Sequence, residues 1–173
     1  YRLRFLDASV ARIYQLWLMR SVGGPAAAPG SLGQWQLPDG QQCMRLTQIA
    51  SEGGLLPKAI VRDSFELWPA KRREFVVDFT KYLDGSPTRP GDVIYLVNTL
   101  DMPTGRKPDF PFDPGFVPTN YRVPMLKIVI DGPPPPLEAD VSVVPAALRP
   151  MPQIRQSLAT LPRRSFTLQR GSG

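Results

Sequence analysis

The sequence predicts an all-β fold, an antiparallel sandwich or barrel of about seven short strands. Three observations support this prediction: apolar and polar residues alternate over short segments, turn-forming residues separate those segments, and no amphipathic helix is visible. The 21 prolines among 173 residues also argue against a helical protein, because proline breaks helix interiors. With 42% hydrophobic and 21% charged residues, the chain can bury a substantial core.

The first third of the chain contains two clear strands and a long loop. Residues 1–5 show the period-two alternation of a half-buried strand, and residues 14–18 form a second candidate that is apolar on much of both faces. Residues 20–42 are predicted to be a loop, because glycine and proline punctuate them and Asp39-Gly40 is a good tight-turn pair. Strand character resumes at residues 44–50.

The remaining strands are short and separated by turns. The run at 44–50 ends at Gly53 and Gly54, and paired glycines there predict a strand-end turn with positive φ. Five further strands are predicted, at residues 59–61, 65–67, 74–79, 94–100 and 125–130. A long proline-rich loop at 101–120 separates the last two, and loops of that length are usually functional or interfacial.

The character of the sequence changes after Ile130. Residues 133–136 are four prolines, which favour a stiff and extended conformation. We therefore predict one domain at residues 1–131, a proline-rich linker at 132–162, and the truncated start of a following domain at 163–173, where alternation resumes. Both termini are interpreted as cuts within a longer protein, since Tyr1 already lies inside a strand pattern.

Two residue counts limit the chemistry that this chain can carry. Histidine is absent, which excludes a Ser-His-Asp or Cys-His triad and any histidine-bound zinc or copper within the chain. A blue-copper role for the single cysteine, Cys43, would require two histidines, so we interpret it as a small packing residue. No catalytic, cofactor-binding or metal-ligating residue is therefore predicted.

The charge distribution does not indicate a polyanion partner. The net charge of +6 is dispersed, and no basic stretch is interleaved with aromatic residues in the way that single-stranded nucleic acid requires. The only tight cluster, Lys71, Arg72 and Arg73, is interpreted as a solvated turn rather than an anionic docking site. No apolar run is long enough to span a bilayer.

Several polar residues have both a functional and a structural interpretation. Asp7, Ser9 and Arg12 resemble a catalytic trio, but a structural role is favoured, in which Asp7 and Ser9 bond local backbone and Arg12 pins the turn or an adjoining domain. Glu74 and Asp78 share one face of a predicted strand, and an exposed edge explains them without acid–base chemistry.

The glycine pair and the three tryptophans are treated in the same way. Gly53-Gly54 is not a phosphate cradle, because no helix with Lys and Ser or Thr follows it. Trp17 and Trp68 lie within strand patterns and are expected in the core or an interface rather than on a sugar-binding surface. Trp35, in a glycine-rich loop, is the tryptophan expected to be exposed.

Three segments together carry a family resemblance. They are residues 1–14 (YRLRFLDASVARIY), 48–57 (QIASEGGLLP) and 67–79 (LWPAKRREFVVDF). In this order and spacing they resemble the middle, cupredoxin-like domain of three-domain multicopper oxidases of the spore-coat laccase, bilirubin oxidase and phenoxazinone synthase group. Residues 124–130 resemble that domain's closing strand, and residues 148–152 and 163–168 resemble the crossing into the third domain. Asp7, Glu52 and Lys71 depart mildly from the family pattern, which usually has Asn, Asp and an acidic or polar residue there.

The resemblance implies a cupredoxin-like, Greek-key sandwich without its own metal, because the family's copper ligands lie in His-x-His and Cys-His motifs of the first and third domains. It implies a parent enzyme that oxidises phenolic, aromatic-amine, pyrrole-type or metal-ion substrates and reduces dioxygen to water. This domain would hold those two copper-bearing partner domains in place, and the loops at 20–42 and 101–120 would wall the substrate cleft. The isolated fragment is expected to be inactive and to bind no copper.

Two questions stay open at the level of the sequence. Members of the family are often exported to the periplasm, the extracellular space or the spore coat, but this sequence does not fix the location. A non-catalytic β-sandwich module that binds carbohydrate or protein would share the same strand pattern. Histidine motifs on both sides of this segment of the gene would distinguish the oxidase from such a module.

Overall fold

The computed structural model describes residues 1–22, 28–29, 35–102, 121–132, 142–151, 162 and 164–167. These residues form eleven strands and no helix, and every strand pairing is antiparallel. The strands are β1 (Arg2–Leu6), β2 (Tyr14–Ser21), β3 (Ala28–Pro29), β4 (Trp35–Gln36), β5 (Gly40–Gln42), β6 (Leu46–Ser51), β7 (Gly54–Arg62), β8 (Ser64–Leu67), β9 (Arg72–Val76), β10 (Val93–Asn98) and β11 (Val123–Val129). The all-β prediction is confirmed.

The strands form two main sheets. The first sheet has the order β1-β9-β6-β7. The second has the order β11-β10-β2, and the other edge of β2 pairs first with β8 and then with β5. Most neighbours within a sheet are distant in sequence, so the chain passes repeatedly from one sheet to the other.

The core is formed by side chains that alternate along the strands and meet between the sheets. Phe75 of β9 and Leu18 and Ile94 of the second sheet are fully buried there. The ring centroid of Phe65 lies 4.3 Å from that of Phe75 and 5.0 Å from that of Phe5. Tilted aromatic pairs of this kind stabilise a core by about 0.5–1.5 kcal/mol beyond their buried area.

The second sheet is also buried on its outer face. Trp17 and Tyr95 point away from the core, and Leu37, which is fully buried, covers them. The Leu37 N–H donates to the Arg122 carbonyl at 2.9 Å, which ties this covering segment to the start of β11. This second buried face explains why β2 is apolar on both sides and confirms the core position predicted for Trp17.

The loop predicted at residues 20–42 is interrupted by strands, so that prediction is wrong for part of the segment. β2 continues to Ser21, and its free edge pairs with β5. Asp39 lies in the predicted tight turn before β5. Pairing with an existing edge therefore overrides the turn-forming composition that predicted an unbroken loop.

One side of the sandwich is closed by the chain itself. β7 belongs to the first sheet, β8 belongs to the second, and only Asp63 separates them. The Asp63 carboxylate accepts hydrogen bonds from Gln42 at 3.0 Å and from Arg45 at 2.9 Å. The two predicted strands at 59–61 and 65–67 are confirmed as the arms of this corner.

Several predicted strand boundaries differ from the structure by a few residues. β9 runs from Arg72 to Val76 rather than from 74 to 79, because its first residues pair with β1 and residues 77–79 are not in a strand. Of the two glycines predicted to have positive φ, Gly54 does, at 96°, whereas Gly53 does not. Positive φ is needed only where the two-residue turn enters β7.

The C-terminal segment is described only in part. The Leu148 N–H donates to the Pro57 carbonyl at 2.8 Å, so residues 142–151 return to the β7 edge of the sandwich. The predicted strand at 165–168 is not formed by residues 165–167, which have no ladder partner in the described part of the chain, and residue 168 lies outside it. The polyproline run at 133–136 and most of the loop at 101–120 also lie outside the described residues. No helix in the described ranges has the length and apolar character needed to cross a membrane.

Candidate functional site

Cys43 is the side chain whose chemistry comes nearest to that of a copper ligand. It is buried in the core between β5 and β6, and its Sγ lies 3.5 Å from the Leu18 carbonyl oxygen. Burial raises the pKa of the Cys43 thiol to about 12, so the thiolate that a metal requires is not available at neutral pH. The predicted packing role of Cys43 is confirmed.

The described residues do not offer a copper site. Copper of the blue type requires imidazole and thiolate ligands in a fixed geometry, and the whole sequence contains no histidine. Across the described ranges, no group of three or more Cys, Asp or Glu side chains lies close enough to hold a metal ion. The donor set therefore does not fit copper.

Asp7 and Ser9 bond the backbone of their own turn, as the sequence predicted. The Asp7 carboxylate accepts from the Ser9 N–H at 2.8 Å, and the Ser9 hydroxyl donates to the Arg12 carbonyl at 2.9 Å. The Asp7 backbone also donates to the Lys71 carbonyl and accepts from the Ala70 N–H, so it joins this turn to the start of β9. These contacts organise a turn and do not direct the three side chains toward a common substrate.

Arg12 connects regions that are far apart in the sequence. Its guanidinium donates to the Leu100 carbonyl at 3.3 Å, the Met102 carbonyl at 3.2 Å and the Tyr121 hydroxyl at 2.6 Å. Met102 and Tyr121 flank residues 103–120, so Arg12 fixes both ends of the connection from β10 to β11 to the β1–β2 turn. The pinning role was predicted, but its target was not.

Glu74 and Asp78 are not on an exposed strand edge, so that prediction is wrong. Glu74 lies in β9, between β1 and β6, and accepts hydrogen bonds from Arg2 and from Arg4. The Arg2 bond lowers the pKa of Glu74 most, and Arg4 lowers it further. Asp78 lies beyond the end of β9 and accepts from Thr80 at 2.9 and 2.6 Å. Partial burial raises the pKa of Asp78, but the hydrogen bonds from Thr80 lower it, and the net shift is downward. Neither carboxyl therefore has the raised pKa of a general acid.

The basic cluster is ordered by a carboxylate. Arg72 and Arg73 lie within β9 rather than in a solvated turn, which corrects the prediction for both. Arg72 is 2.9 Å and Arg73 3.8 Å from the carboxylate oxygens of Glu52. The single carboxylate of Glu52 therefore offsets one of the three positive charges of this cluster.

The other two tryptophans lie on the surface. Trp35 is 57% exposed, as predicted. Trp68 follows β8 and is 41% exposed, so the core position considered for it is wrong. Trp35 lies in β4, whereas Trp68 follows β8.

An apolar opening lies on the side of the sandwich opposite the β7–β8 corner. We call it the β1–β11 groove, because it separates the edge strand of the first sheet from the edge strand of the second. It has a volume of about 520 Å³, and its walls include Leu3, Phe79, Leu126 and Ile128. Its only ionisable carboxyl is that of Asp131. This lining suits packing by an apolar segment rather than acid–base or nucleophilic catalysis.

Comparison with known proteins gives partial matches. A laccase from Bacillus subtilis (strain 168) is 33% identical over 99 residues, which are 57% of this chain and 14% of that protein. A laccase from Bacillus stratosphericus is 30% identical over 82 residues, which are 47% of this chain and 12% of that protein. A solved laccase from Pediococcus acidilactici has a TM-score of 0.50 at 22% identity, covering 92% of this chain and 23% of its own. No protein-family model matches the chain.

The structural match and the two antiparallel sheets define the class: this is an all-β, cupredoxin-like sandwich. The two laccase matches, together with this fold, support the resemblance to a domain of a multicopper oxidase that the sequence predicts. The chain spans less than a quarter of the length of each of these relatives.

Proposed function

We propose that this chain is the middle, metal-free domain of a three-domain copper-dependent oxidase and that it holds two copper-bearing domains at a fixed separation. The parent enzyme would oxidise phenolic, aromatic-amine, pyrrole-type or metal-ion substrates and reduce dioxygen to water. The observation that supports the proposal is a laccase-like sequence whose own donor set does not fit copper. The copper of such an enzyme must then be bound by residues outside this chain.

Several features suit a spacer of this kind. Metal–ligand distances tolerate errors of only about 0.2 Å, so a domain between two sets of ligands has to be stiff. Here the second sheet is buried on both faces, and Arg12 fixes the β10–β11 connection to the β1–β2 turn. The return of residues 142–151 to Pro57 ties the segment that follows the sandwich to its β7 edge.

The loops at 20–42 and 101–120 are proposed to wall the substrate cleft of the parent. The exposed Trp35 belongs to the first of these segments, and the Arg12 contacts hold both ends of the second. Shortening the first segment between β2 and Leu37, or the second between Met102 and Tyr121, in the full-length enzyme should change the ratio of kcat/KM between a phenol and an aromatic amine while leaving the copper content unchanged. An unchanged substrate profile would contradict this assignment.

The central experiment is to read and express the complete parent. We expect His-x-His pairs upstream and a His-Cys-His segment downstream, together with bound copper and oxygen uptake in the presence of a phenol. The 173-residue chain, expressed alone in copper-supplemented cells, should contain no stoichiometric copper and take up no oxygen. One tightly held copper per chain, or flanking sequence without histidine motifs, would refute the proposal and favour the binding-module alternative.

A further inference from the structure

The geometry points to the free edge of β11 as a strand-docking site, occupied by an extended segment of a neighbouring part of the parent protein that alternates apolar and acidic residues. This inference rests on the proposed function, because it requires further polypeptide beside this domain. It names the surface through which the domain would be held, which the proposed function does not. Three observations carry it: backbone pairing, the lining and exposure of the groove, and charge.

The first observation concerns backbone groups. Ile130 donates to the Asp92 carbonyl and accepts from the Gly91 N–H, so its backbone is directed toward the β10 side. Because an antiparallel ladder alternates, the N–H and C=O groups of Val129 and Lys127 are directed the other way. Among the described residues, the Leu37 N–H donates to the carbonyl of Arg122, which precedes β11, and no strand pairs with that edge of β11 itself. Such an edge is a template for an added strand.

The second observation is the lining of the β1–β11 groove. Leu126 and Ile128 form one wall and Leu3 the other, with Phe79 at the base. Leu126 is 49% exposed and Val129 is 53% exposed, although both lie in a strand whose neighbour β10 is almost entirely buried. A strand added to β11 would place alternate side chains in the groove and cover these residues.

The third observation is the charge beside the free edge. Lys127 is exposed and forms no ion pair in the described ranges. Opposite charges on facing residues of neighbouring strands stabilise their pairing, whereas like charges oppose it. The added strand is therefore acidic on its outward face and apolar on its inward face.

The test uses the full chain and a synthetic probe, a nine-residue peptide of alternating valine and glutamate that is blocked at both ends. Because linked modules act at effective concentrations of about 1 mM, a separate peptide is expected to bind in that range. Amide hydrogen exchange, followed by NMR, should slow about tenfold at Lys127 and Val129 when the peptide is saturating. Exchange at Ile128, whose amide is directed to β10, should not change, which makes it an internal control.

Two neighbouring residues provide matched variants. Leu126 and Met125 are 49% and 50% exposed, but only Leu126 lines the groove. We expect Leu126→Glu to weaken peptide binding at least tenfold and Met125→Glu to leave it within about twofold, with both variants folded because both sites are exposed. Lys127→Glu should weaken binding of the valine–glutamate peptide and allow binding of a valine–lysine peptide instead.

Each result is decisive. Slow exchange at Lys127 and Val129 in the chain alone would mean that this chain covers its own edge, and protection that rises with chain concentration would assign the edge to a second copy. Either result, or equal effects of the two glutamate variants, would overturn the inference. The proposed function fails on different grounds, the absence of histidine motifs and copper in the parent, so the two failures are distinguishable.

Discussion

On one side of the sandwich, β7 runs through Asp63 into β8 and carries the chain from the first sheet to the second. On the opposite side, β1 and β11 end their sheets without such a crossing, and the β1–β11 groove lies between them. The comparison shows two ways of ending a sandwich. Where the chain crosses from one sheet to the other, its own residues cover the core. Where two edge strands are not connected, apolar surface is left that another segment can cover.

The two sides also differ in the burial of equivalent side chains. Phe65 and Leu67 of β8 are both 4% exposed, whereas Leu126 and Val129 of β11 are 49% and 53% exposed. Because hydrophobic stabilisation is about 25 cal/mol per Å² of buried apolar area, the side chains of β8 contribute more to stability than those of β11. Conversely, the open side retains apolar area that is available for association.

Truncation of one aromatic side chain on the closed side should have the largest effect. Phe65→Ala removes a ring packed against Phe5 and Phe75, and we expect it to lower the free energy of unfolding by about 3–5 kcal/mol. Leu126→Ala on the open side should cost less than about 1 kcal/mol, because half of that side chain is already exposed. Urea unfolding followed by tryptophan fluorescence measures both, and equal losses would remove the distinction between the two sides.

Loss of the Arg12 contacts should have the next largest effect. Arg12 is the described side chain that ties the β1–β2 turn to the β10–β11 connection, which leads into the open edge. Arg12→Ala is expected to cost about 2 kcal/mol, because hydrogen bonds from a charged donor are among the stronger ones. Arg12→Lys should recover little of this, since an ammonium cannot reproduce the forked donors of a guanidinium.

A surface arginine provides the control for this prediction. The Arg4 side chain is 73% exposed and shares Glu74 with Arg2, so Arg4→Ala should change stability by less than about 0.5 kcal/mol. Urea unfolding of the three variants at one pH gives the comparison. If Arg12→Lys were as stable as the wild type, the geometry of the guanidinium contacts would not matter for the fold.

The turn between β6 and β7 offers a smaller test on the closed side. Gly54 has a φ of 96°, a conformation that a side chain enters at a cost, whereas its neighbour Gly53 does not have positive φ. A Cβ at either position would meet no atom within 4 Å, so the two substitutions differ in backbone conformation and not in crowding. Gly54→Ala should cost about 1 kcal/mol and Gly53→Ala close to nothing. Equal melting temperatures for the two variants would contradict this explanation.

Local sequence patterns were sufficient to locate most of the strands. Alternation located β1, β2 and β10, and the short break at residues 62–64 located the corner, because these features depend on neighbours in the sequence. β5 was missed, since a three-residue strand in a glycine-rich segment forms only where the end of β2 offers a partner. Leu37 between Trp35 and Pro38 was the available sign that this segment packs inward, because a large apolar residue in a turn-rich segment is often covered.

The long-range contacts and the groove of the open side could not be predicted from local patterns, although both of its edge strands were. The partners of Arg12 are 88, 90 and 109 residues away, so no local pattern indicates them. The β1–β11 groove depends on which strands occupy the two sheet edges, and strand order is set by long-range pairing. The family resemblance indicated the fold without indicating this surface. By contrast, the sequence alone was enough to infer that the chain has no histidine ligand for copper.

Acid titration gives the smallest effect and separates the two sides by charge. At the closed corner, the pKa of Asp63 is lowered most by the hydrogen bond from Gln42 and next by that from Arg45. One strand from the open edge, the pKa of Glu74 is lowered most by Arg2 and next by Arg4. For a carboxyl whose pKa is lower in the folded state, the stabilisation is present above its ordinary pKa and is lost as the pH falls through the folded value. Both contributions should therefore be complete at pH 7 and decline below about pH 4.5.

The two carboxyls should nevertheless respond differently. The Glu74 side chain is 15% exposed and that of Asp63 is 54% exposed, so solvent and salt screen Asp63 more strongly. We expect Glu74→Gln to flatten the acid limb of a plot of unfolding free energy against pH more than Asp63→Asn does, and 0.5 M NaCl to reduce the Asp63 effect more. If Asp63→Asn flattened the acid limb more than Glu74→Gln, the corner would owe its stability to its ion pair rather than to the covalent crossing and the buried rings. The contrast between the two sides would then be electrostatic in origin.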